Sequence, residues 1–494
     1  MKEVVPTQGN RHSIAAEIRR VRECSDTFYS VTQKIPNRRT AQPSLLVGGM
    51  LLSVPAGVVL TILTEWVEGI SLLQLDRAYC NRALRPAWLE ILQSRGCILS
   101  SIPRNWVDKT RNSLYQFAVS KNVKVAALFT DGSDPLDLVH RVLLLSNQCI
   151  TEVRMRSVSE RLFPFISNVA NCCTNIKILR LDSCELAQGF PMLLRRNPHL
   201  EKLTLRDCKD TRGQPLETFD CPNLSYLCVH GEKMVNNGWL STILQGVRAN
   251  LLSIELRTMY SKITEEVIHI ISDTCPNLQR IVFGAQQIPG PAIVTLTEKC
   301  RHVRVLDIAN TMFPPRGLQQ ILQNLLSINS IRFYFCGPIT DDDIILLGRL
   351  HGGSLENISV EHYACAFSED SLCTFLKHCK RLHTVRLNIA AEWEYSVKTI
   401  ASLAHLPLTT LVLDAHLSRE VKRGIMKYCP HVTVLGLRGE NDGGAIVPIV
   451  RACKKLKKLY TVGLNAHWQQ EMMAVNRHLA IENNYLFPPL VYLE

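Results

Sequence analysis

The chain has 494 residues, of which 46% are hydrophobic, a mean hydropathy of +0.03 and a formal net charge of +12 at pH 7. This hydrophobic content excludes a disordered protein, and the length allows several ordinary domains or one long repeat array with an extension. The 18 cysteines do not predict a secreted disulfide scaffold, because that inference belongs to short chains, and we expect a reducing, intracellular compartment.

The first 43 residues predict a flexible basic tail. From Met1 to Asp26 several acidic residues lie among the basic ones and no apolar run adjoins them, which argues against a signal peptide. The stretch from Leu45 to Leu63 has no charged residue and reaches the length of a membrane helix, but Pro55 and Gly57 interrupt it. We therefore predict a turn and a helix start at Pro55 and no membrane partner, with the cytoplasm as location and the nucleus as the alternative.

Residues 44–100 predict a small α-helical module. Val54 and Pro55 open an apolar helix that carries Val58, Val59, Ile62 and Leu63, and a second apolar segment contains Leu72, Leu73, Leu75 and Cys80. This pattern resembles a diverged F-box. The resemblance implies that these positions bind a Skp-type adaptor, which links the F-box protein to a cullin.

Three features depart from the F-box pattern. Val54 replaces the usual leucine, Gly57 stands where an acidic residue is common, and no tryptophan follows Cys80 at the expected distance. The four apolar positions of the first helix would form one helical face in either case. The alternative interpretation is that this face only covers the N-terminal end of the repeat array that follows, as every solenoid requires.

The next elements join this module to the repeats. Apolar residues at Leu84, Trp88, Leu89, Ile91 and Leu92 have helical spacing. A degenerate repeat follows at Val123, Ala126 and Leu128, and its start lies 27 residues before the first regular repeat at Ile150. The spacing predicts that module and repeats are joined without a long linker.

The pattern L-x-x-L-x-L recurs about thirteen times at steps of 24 to 27 residues. Its starts are Ile150, Ile176, Leu200, Leu224, Leu251, Leu278, Val303, Ile328, Leu355, Leu382, Leu408, Val432 and Leu456. Such a period is typical of leucine-rich repeats. We predict an α/β solenoid, a leucine-rich repeat horseshoe over residues 101–464 with a parallel concave sheet and helices on the convex side.

The alternation of apolar and other residues within each repeat explains physically why the repeats must stack. Leu179 and Leu181 point to one side of a short strand, which cannot bury its apolar face alone. Stacking the next unit beside it builds a continuous core. After Leu459 the period stops, and we predict a mixed helix over Trp468 to Glu482 within a C-terminal cap of residues 465–494.

Helix starts and cysteines follow the same period. Thr264, Thr340, Ser368 and Ser418 precede acidic or apolar runs and predict helix N-termini. Seven cysteines lie three residues before a repeat start and three lie eight residues after one: Cys173, Cys221, Cys275, Cys300, Cys379, Cys429 and Cys453, then Cys184, Cys208 and Cys336. The two columns resemble the cysteine-containing subclass of leucine-rich repeats, whose members are commonly F-box proteins.

The residues that flank the inward leucines should face the concave surface. The basic ones in the early and middle units are Arg154, Arg156, Arg180, Lys202, Arg206, Arg257 and Arg280. They outnumber the acidic Glu152, Asp182 and Glu255 and predict a basic patch for an acidic or phosphorylated segment of a protein partner. The alternative is a solvated charged face. Nucleic acid is not favoured, because no stripe of aromatics accompanies the patch.

Motifs of catalysis and cofactor binding are absent from the sequence. It has no His-Glu-x-x-His, no Gly-x-x-x-x-Gly-Lys and no Gly-x-Ser-x-Gly. The histidines and cysteines between His362 and His383 are interpreted as repeat packing rather than a zinc site. We expect no enzyme activity, no cofactor and no metal.

The resemblance and the repeats together lead to one hypothesis. The chain would be the substrate-recognition subunit of an SCF-type cullin ubiquitin ligase, with the target bound on the concave face. Such a subunit acts by proximity, which needs no catalytic side chain. The alternative is a protein-interaction scaffold outside any ligase.

Overall fold

The computed structural model describes residues 85–93, 98–99, 108–157, 163–186, 189–210, 220–231, 237–247, 249–257, 263–284, 288–362, 367–389, 395–414, 417–437, 443–462 and 464–482. The eight F-box-like positions predicted for adaptor binding, from Val54 to Leu75, lie outside these ranges, as do the tail and the uncharged segment. Within the described ranges, no helix is both long and apolar enough to cross a bilayer.

Strands recur along the whole described chain. In chain order they are β1 Ile98–Leu99, β2 Lys124–Val125, β3 Ala127–Asp131, β4 Glu152–Arg156, β5 Ile178–Asp182, β6 Glu185–Leu186, β7 Lys202–Arg206, β8 Lys209–Asp210, β9 Tyr226–His230, β10 Ser253–Arg257, β11 Arg280–Gly284, β12 Ile288–Pro289, β13 Val305–Ala309, β14 Thr311–Met312, β15 Ser330–Tyr334, β16 Asn357–His362, β17 Thr384–Ile389, β18 Thr410–Leu413, β19 Val434–Leu437, β20 Lys458–Thr461 and β21 Ala480–Glu482.

Fifteen of these strands form one open parallel sheet. Its order follows the chain from β3 to β21, with only the two-residue strands β6, β8, β12 and β14 outside it, and β1 and β2 form a separate pair. The register aligns equivalent repeat positions, so that Leu179 pairs with Val153 on one side and Leu203 on the other. The thirteen predicted repeats supply the strands from β4 to β20, which confirms the leucine-rich repeat solenoid.

A layer of helices packs against the other side of the repeat core. They are α1 Arg85–Gln93, α2 Asp108–Lys121, α3 Leu136–Ser146, α4 Phe163–Cys172, α5 Gly189–Arg195, α6 Asn237–Gln245, α7 Glu265–Thr274, α8 Gly290–Lys299, α9 Gly317–Asn324, α10 Asp341–His351, α11 Glu369–His378, α12 Val397–Ser402, α13 Arg419–Tyr428, α14 Gly443–Ala452 and α15 Ala466–Val475. Strand leucines such as Leu179 and helix residues such as Phe190 belong to one continuous buried core. Each repeat is therefore stabilised by its two neighbours.

The predicted helix starts are N-caps. Thr340 forms a capping box with Asp343, and the hydroxyls of Ser368 and Ser418 accept hydrogen bonds from Ser371 N and Val421 N. Thr264 is also an N-cap, although its side chain accepts no such bond. The side chains of Thr340, Ser368 and Ser418 each satisfy a backbone amide that a helix end leaves unpaired.

Both cysteine columns are buried and carry free thiols. In the second column the thiols of Cys184, Cys208 and Cys336 donate to carbonyls of the preceding repeat, for example Cys336 Sγ to Ile308 O at 3.3 Å. They satisfy backbone acceptors where each chain leaves its strand. The interpretation as buried packing residues is confirmed.

The chain turns just before this column through a left-handed residue. Ser183 and Asp207 have φ of 53° and 49°, and the equivalent Gly231 has φ of 142°. A Cβ at Gly231 would lie 2.8 Å from the Cα of Asp207. This tight turn requires glycine there, because a side chain would meet backbone.

The N-terminal end of the sheet is covered by two helices. Trp88 and Leu92 of α1 are fully buried, as predicted from their spacing, and the degenerate repeat forms β3 with Val123 and Leu128 buried. Arg111 of α2 pairs with the buried Asp134 at 2.6 Å. The hydroxyl of Tyr115, also on α2, hydrogen-bonds Phe129 N and O in the edge strand β3, so α2 protects this edge.

The C-terminal end differs from the prediction of one mixed helix over Trp468 to Glu482. The helix ends at Val475, and Ala480 to Glu482 form strand β21, which pairs in parallel with β20. Asn476 interrupts the helix because its side chain donates to Leu456 O at 2.7 Å. The repeat architecture therefore continues for one further turn beyond Leu459.

Candidate protein-binding face

The face of the sheet opposite the helices, here called the open face, is the concave wall of the solenoid. In β5 the buried Leu179 and Leu181 alternate with Ile178, Arg180 and Asp182, which lie on the open face. The register aligns these three positions with the same positions of β4 and β7. The open face therefore consists of three rows of side chains that cross the strands.

Five of the seven predicted basic residues come together on β4, β5 and β7, here called the N-terminal sector. Arg154 and Arg180 are neighbours in the middle row. Arg156 and Arg206 lie in one outer row on either side of Asp182, and Lys202 lies in the other outer row. Two strand spacings separate β4 from β7, so the sector is about 10 Å wide.

Several of these arginines are held by acids on their own strand. Arg154 Nε donates to Glu152 Oε1 at 2.5 Å, and Arg180 Nε donates to Asp182 Oδ2 at 2.7 Å. The guanidinium of Arg154 also lies 4.8 Å from the ring centroid of Phe129. These contacts orient the guanidinium groups and offset part of their charge. A two-residue spacing between acid and arginine in a strand is the sequence signal for such pairs.

Two other cations of the sector are more exposed. Arg156 and Lys202 are exposed, and neither makes an ion pair with a residue in the described ranges. Arg206 interacts with the thiol of Cys228. The sector as a whole carries five basic side chains against Glu152 and Asp182. It is a partly exposed, positively charged surface.

The centre of the open face has a different character, because an ion-pair network crosses it from β10 to β16. Arg257 bridges Glu255 at 2.8 Å and Asp307 at 3.2 Å. Arg332 lies 3.7 Å from Asp307 and 2.9 Å from Glu361. Burial raises the pKa of Asp307, and the charges of Arg332 and Arg257 oppose that rise.

The exposed fraction of the side chains also differs between the centre of the open face and the N-terminal sector. In the middle row Glu255, Asp307 and Arg386 are each only 5% exposed and Ser359 is fully buried. In the N-terminal sector the side chains of Arg154 and Arg180 are 22% and 34% exposed. The sequence pattern does not distinguish exposed from buried positions on the open face. In the structure, the accessible cations of the predicted set lie mainly on β4, β5 and β7.

The remaining two predicted residues lie outside this sector. Arg257 belongs to the central network, and Arg280 lies on β11 beside Ser253, without an ion pair to any described residue. Asp307 was not identified from the sequence, although its place as third residue of β13 is the signal that puts it on the open face. Within the described ranges, no three His, Cys, Asp or Glu residues are placed to hold a metal ion.

No model of a known protein family matches the chain, and no curated protein is similar to it. A comparison of structures aligns it with the chain in a crystal structure of a TLR13–ssRNA13 complex, with 15% identity and a TM-score of 0.38. The alignment covers 73% of this chain and 54% of that one, so this chain spans about half its length. The assignment of the fold rests on the parallel sheet and its register.

Proposed function

We propose that the chain is a non-enzymatic binding protein whose N-terminal sector captures an acidic or phosphorylated segment of a protein partner. The observation that carries this proposal is the clustering of Arg154, Arg156, Arg180, Lys202 and Arg206 on three adjacent strands. Guanidinium groups bind carboxylate and phosphate in a bidentate manner, and the acids on the same strands orient two of them.

The division of the open face supports this placement. The central network already pairs Arg257 and Arg332 with three acids, and its middle-row acids Glu255 and Asp307 are buried. A partner would have to break those ion pairs to reach the arginines there. Breaking a buried ion pair costs on the order of several kcal/mol. In the N-terminal sector, Arg156 and Lys202 need no such exchange.

Charge reversal tests the proposal. The probe is a synthetic peptide with four glutamates and one phosphoserine, and its control has glutamines and serine at those positions. Fluorescence anisotropy at low salt should show binding of the acidic peptide only, and Arg156→Glu with Lys202→Glu should weaken it at least about tenfold. The matched control replaces Arg141 and Lys209 by Glu, two exposed cations outside the sector. Equal affinity of the two double variants would overturn the placement.

We further propose that residues 54–75 recruit a Skp-type adaptor, which makes the chain a substrate-recognition subunit of a cullin ubiquitin ligase. This proposal is carried by the F-box resemblance at Val54, Pro55, Val58, Val59, Ile62, Leu63, Leu72 and Leu75. The protection of strand β3 supports it, because Tyr115 of α2 already hydrogen-bonds the central residue of that edge strand. The apolar positions before residue 85 are then not needed to cap it.

Co-purification with the adaptor tests the ligase role. The full chain should retain a Skp-type adaptor and a cullin, and the double change Ile62→Asp and Leu63→Asp should abolish both while leaving binding of the acidic peptide intact. The control is Leu144→Asp, which alters an apolar side chain on α3 that is 54% exposed. Absence of the adaptor from the wild-type complex, with peptide binding retained, would favour the scaffold outside any ligase.

A further inference from the structure

All helices of the solenoid run in the same direction relative to the sheet, so their C-terminal ends lie along one edge. We consider the five segments that lead from a helix end to the next strand at the C-terminal end of the array: 377–384, 402–410, 427–434, 451–458 and 475–480. Together they are called the basic edge. Adjacent strands are about 4.8 Å apart, so the five segments span about 19 Å.

The basic edge contains many basic residues and no acidic ones. Its five segments contain seven lysines and three arginines, together with five histidines, and no aspartate or glutamate. The densest part is Lys454, Lys455, Lys457 and Lys458, between α14 and β20. All ten lysines and arginines are exposed. The edge therefore carries positive charge on four of its five segments, and segment 402–410 contributes only His405.

Most of these cations have no acidic partner. Arg381 pairs with Glu356 and Lys458 with Glu482, and the ammonium of Lys427 lies over the ring of Tyr428 at 4.9 Å. Apart from Arg381 and Lys458, the lysines and arginines of the basic edge, eight in number and including Lys427, make no ion pair with a residue of the described ranges. Their charge remains available for an external anion.

The helix dipole explains only part of this pattern. Cations in the last turn of a helix are favoured by its negative end, which accounts for Lys377, Lys427 and Arg451. The effect falls off within one turn. Lys454, Lys455 and Lys457 follow the end of α14 at Ala452, so capping of the dipole does not require them.

We infer that the basic edge binds the phosphate backbone of a nucleic acid without reading its bases. Lysine binds phosphate as a point charge, and neutralising phosphates gains free energy by releasing counterions. No exposed aromatic residue lies in the five segments to stack on bases. The absence of exposed aromatic residues argues against recognition of bases. Contacts to the phosphate backbone do not require them.

Two other partner classes fit the basic edge less well. Protein interfaces are depleted in lysine and need an apolar centre, whereas seven of the ten cations here are lysines. Membrane-surface elements insert tryptophan, phenylalanine or leucine, and the five segments expose none of these. The inference does not depend on the proposed function, because the open face and the basic edge are different surfaces.

The test measures anisotropy of a 20-base-pair DNA duplex, an RNA duplex and a single strand with the full chain. The duplexes should bind without sequence preference, and raising salt from about 50 to 200 mM should weaken binding about 10²- to 10³-fold if about five phosphates are neutralised. The triple change Lys454→Glu, Lys455→Glu and Lys457→Glu should weaken it about 100-fold.

The matched control is Arg141→Glu, Arg196→Glu and Lys209→Glu, which makes the same change in net charge at exposed sites away from the basic edge. It should leave affinity within about threefold of wild type, and circular dichroism should show both triple variants folded. Equal loss in the two triple variants, or tighter binding to phosphatidylserine vesicles or to polyglutamate than to any nucleic acid, would overturn the inference. So would failure to bind nucleic acid at 50 mM salt.

Discussion

The hydroxyl of Tyr115 accepts a hydrogen bond from Phe129 N at 2.7 Å and donates one to Phe129 O at 2.6 Å. Phe129 is the central residue of β3, the edge strand of the sheet. One side chain of α2 thus satisfies both backbone groups that a further strand would otherwise pair. Burial raises the pKa of Tyr115, so the hydroxyl stays protonated and can serve as donor.

Tyr115→Phe should destabilise this end of the solenoid by about 1–3 kcal/mol, because it leaves a backbone N–H and C=O unpaired. Hydrogen exchange at the Phe129 amide should accelerate, whereas exchange in β15 should stay unchanged. Tyr428→Phe, at a tyrosine whose ring lies under Lys427, is the control and should leave Phe129 unaffected. Unaltered exchange at Phe129 in the Tyr115 variant would contradict the capping role.

The central network should respond strongly to loss of one carboxylate. Asp307→Ala leaves Arg257 and Arg332 facing each other without their shared partner, which should lower the free energy of unfolding by about 3–5 kcal/mol. Urea denaturation followed by circular dichroism measures this. The exposed pair of Lys177 and Glu201 gives the comparison, since Glu201→Ala should cost at most about 1 kcal/mol. Similar losses of unfolding free energy in both variants would mean that the central network stabilises the fold no more than an exposed ion pair does.

Acidification should act through His351. This side chain is 2% exposed, its Nε2 lies 2.9 Å from Leu322 O, and burial lowers its pKa below the ordinary 6.5. In the unfolded chain it binds a proton near pH 6.5, whereas the folded chain resists protonation. Its contribution to stability is therefore present above pH 6.5 and is lost as the pH falls toward the lower folded pKa.

Compared with His351→Gln, the wild type should lose up to about 1.4 kcal/mol more per pH unit in that interval. Urea denaturation from pH 7.5 to 5 measures the difference, and exposed His478→Gln should follow the wild type. Parallel curves for wild type and His351→Gln would refute the assignment.

The cysteine columns predict a pattern of thiol reactivity. Burial raises the pKa of Cys173, Cys300 and Cys429 to about 12, so these thiols are neither accessible nor ionised at pH 8. Iodoacetamide should modify the partly exposed Cys149 and Cys172 in the native protein and the columns only in urea. Mass spectrometry of tryptic peptides measures the extent of labelling at each cysteine. Native labelling of Cys300 as fast as Cys149 would show that the columns are not packed as described.

The fold was predictable from sequence because its determinants are local and periodic. Leu179 and Leu181 alternate within a strand, and Cys173 and Ser418 mark helix ends at fixed offsets. The exception was the last turn, where Ala480 to Glu482 is too short for a strand pattern to be recognised and pairs only because β20 offers an edge.

The binding face was predictable in its residues but not in its accessibility. The sequence places Arg180 and Arg257 on the same face, yet it does not show that Asp307, two strands from Arg257, reaches that guanidinium. Ion pairs across strands depend on register and side-chain length, which no single repeat encodes. For the same reason the basic edge was missed, since Lys380 and Lys454 come together only when the repeats are stacked.

Site-specific photo-crosslinking tests the central claim, that partners bind the N-terminal sector of the open face, most directly. A benzophenone amino acid replaces Ile178, on the open face of β5, in one protein and Leu144, on α3, in another. The acidic phosphopeptide should crosslink to the protein altered at position 178 and not to the one altered at 144. Crosslinking at 144 alone, or equally at both positions, would contradict the claim.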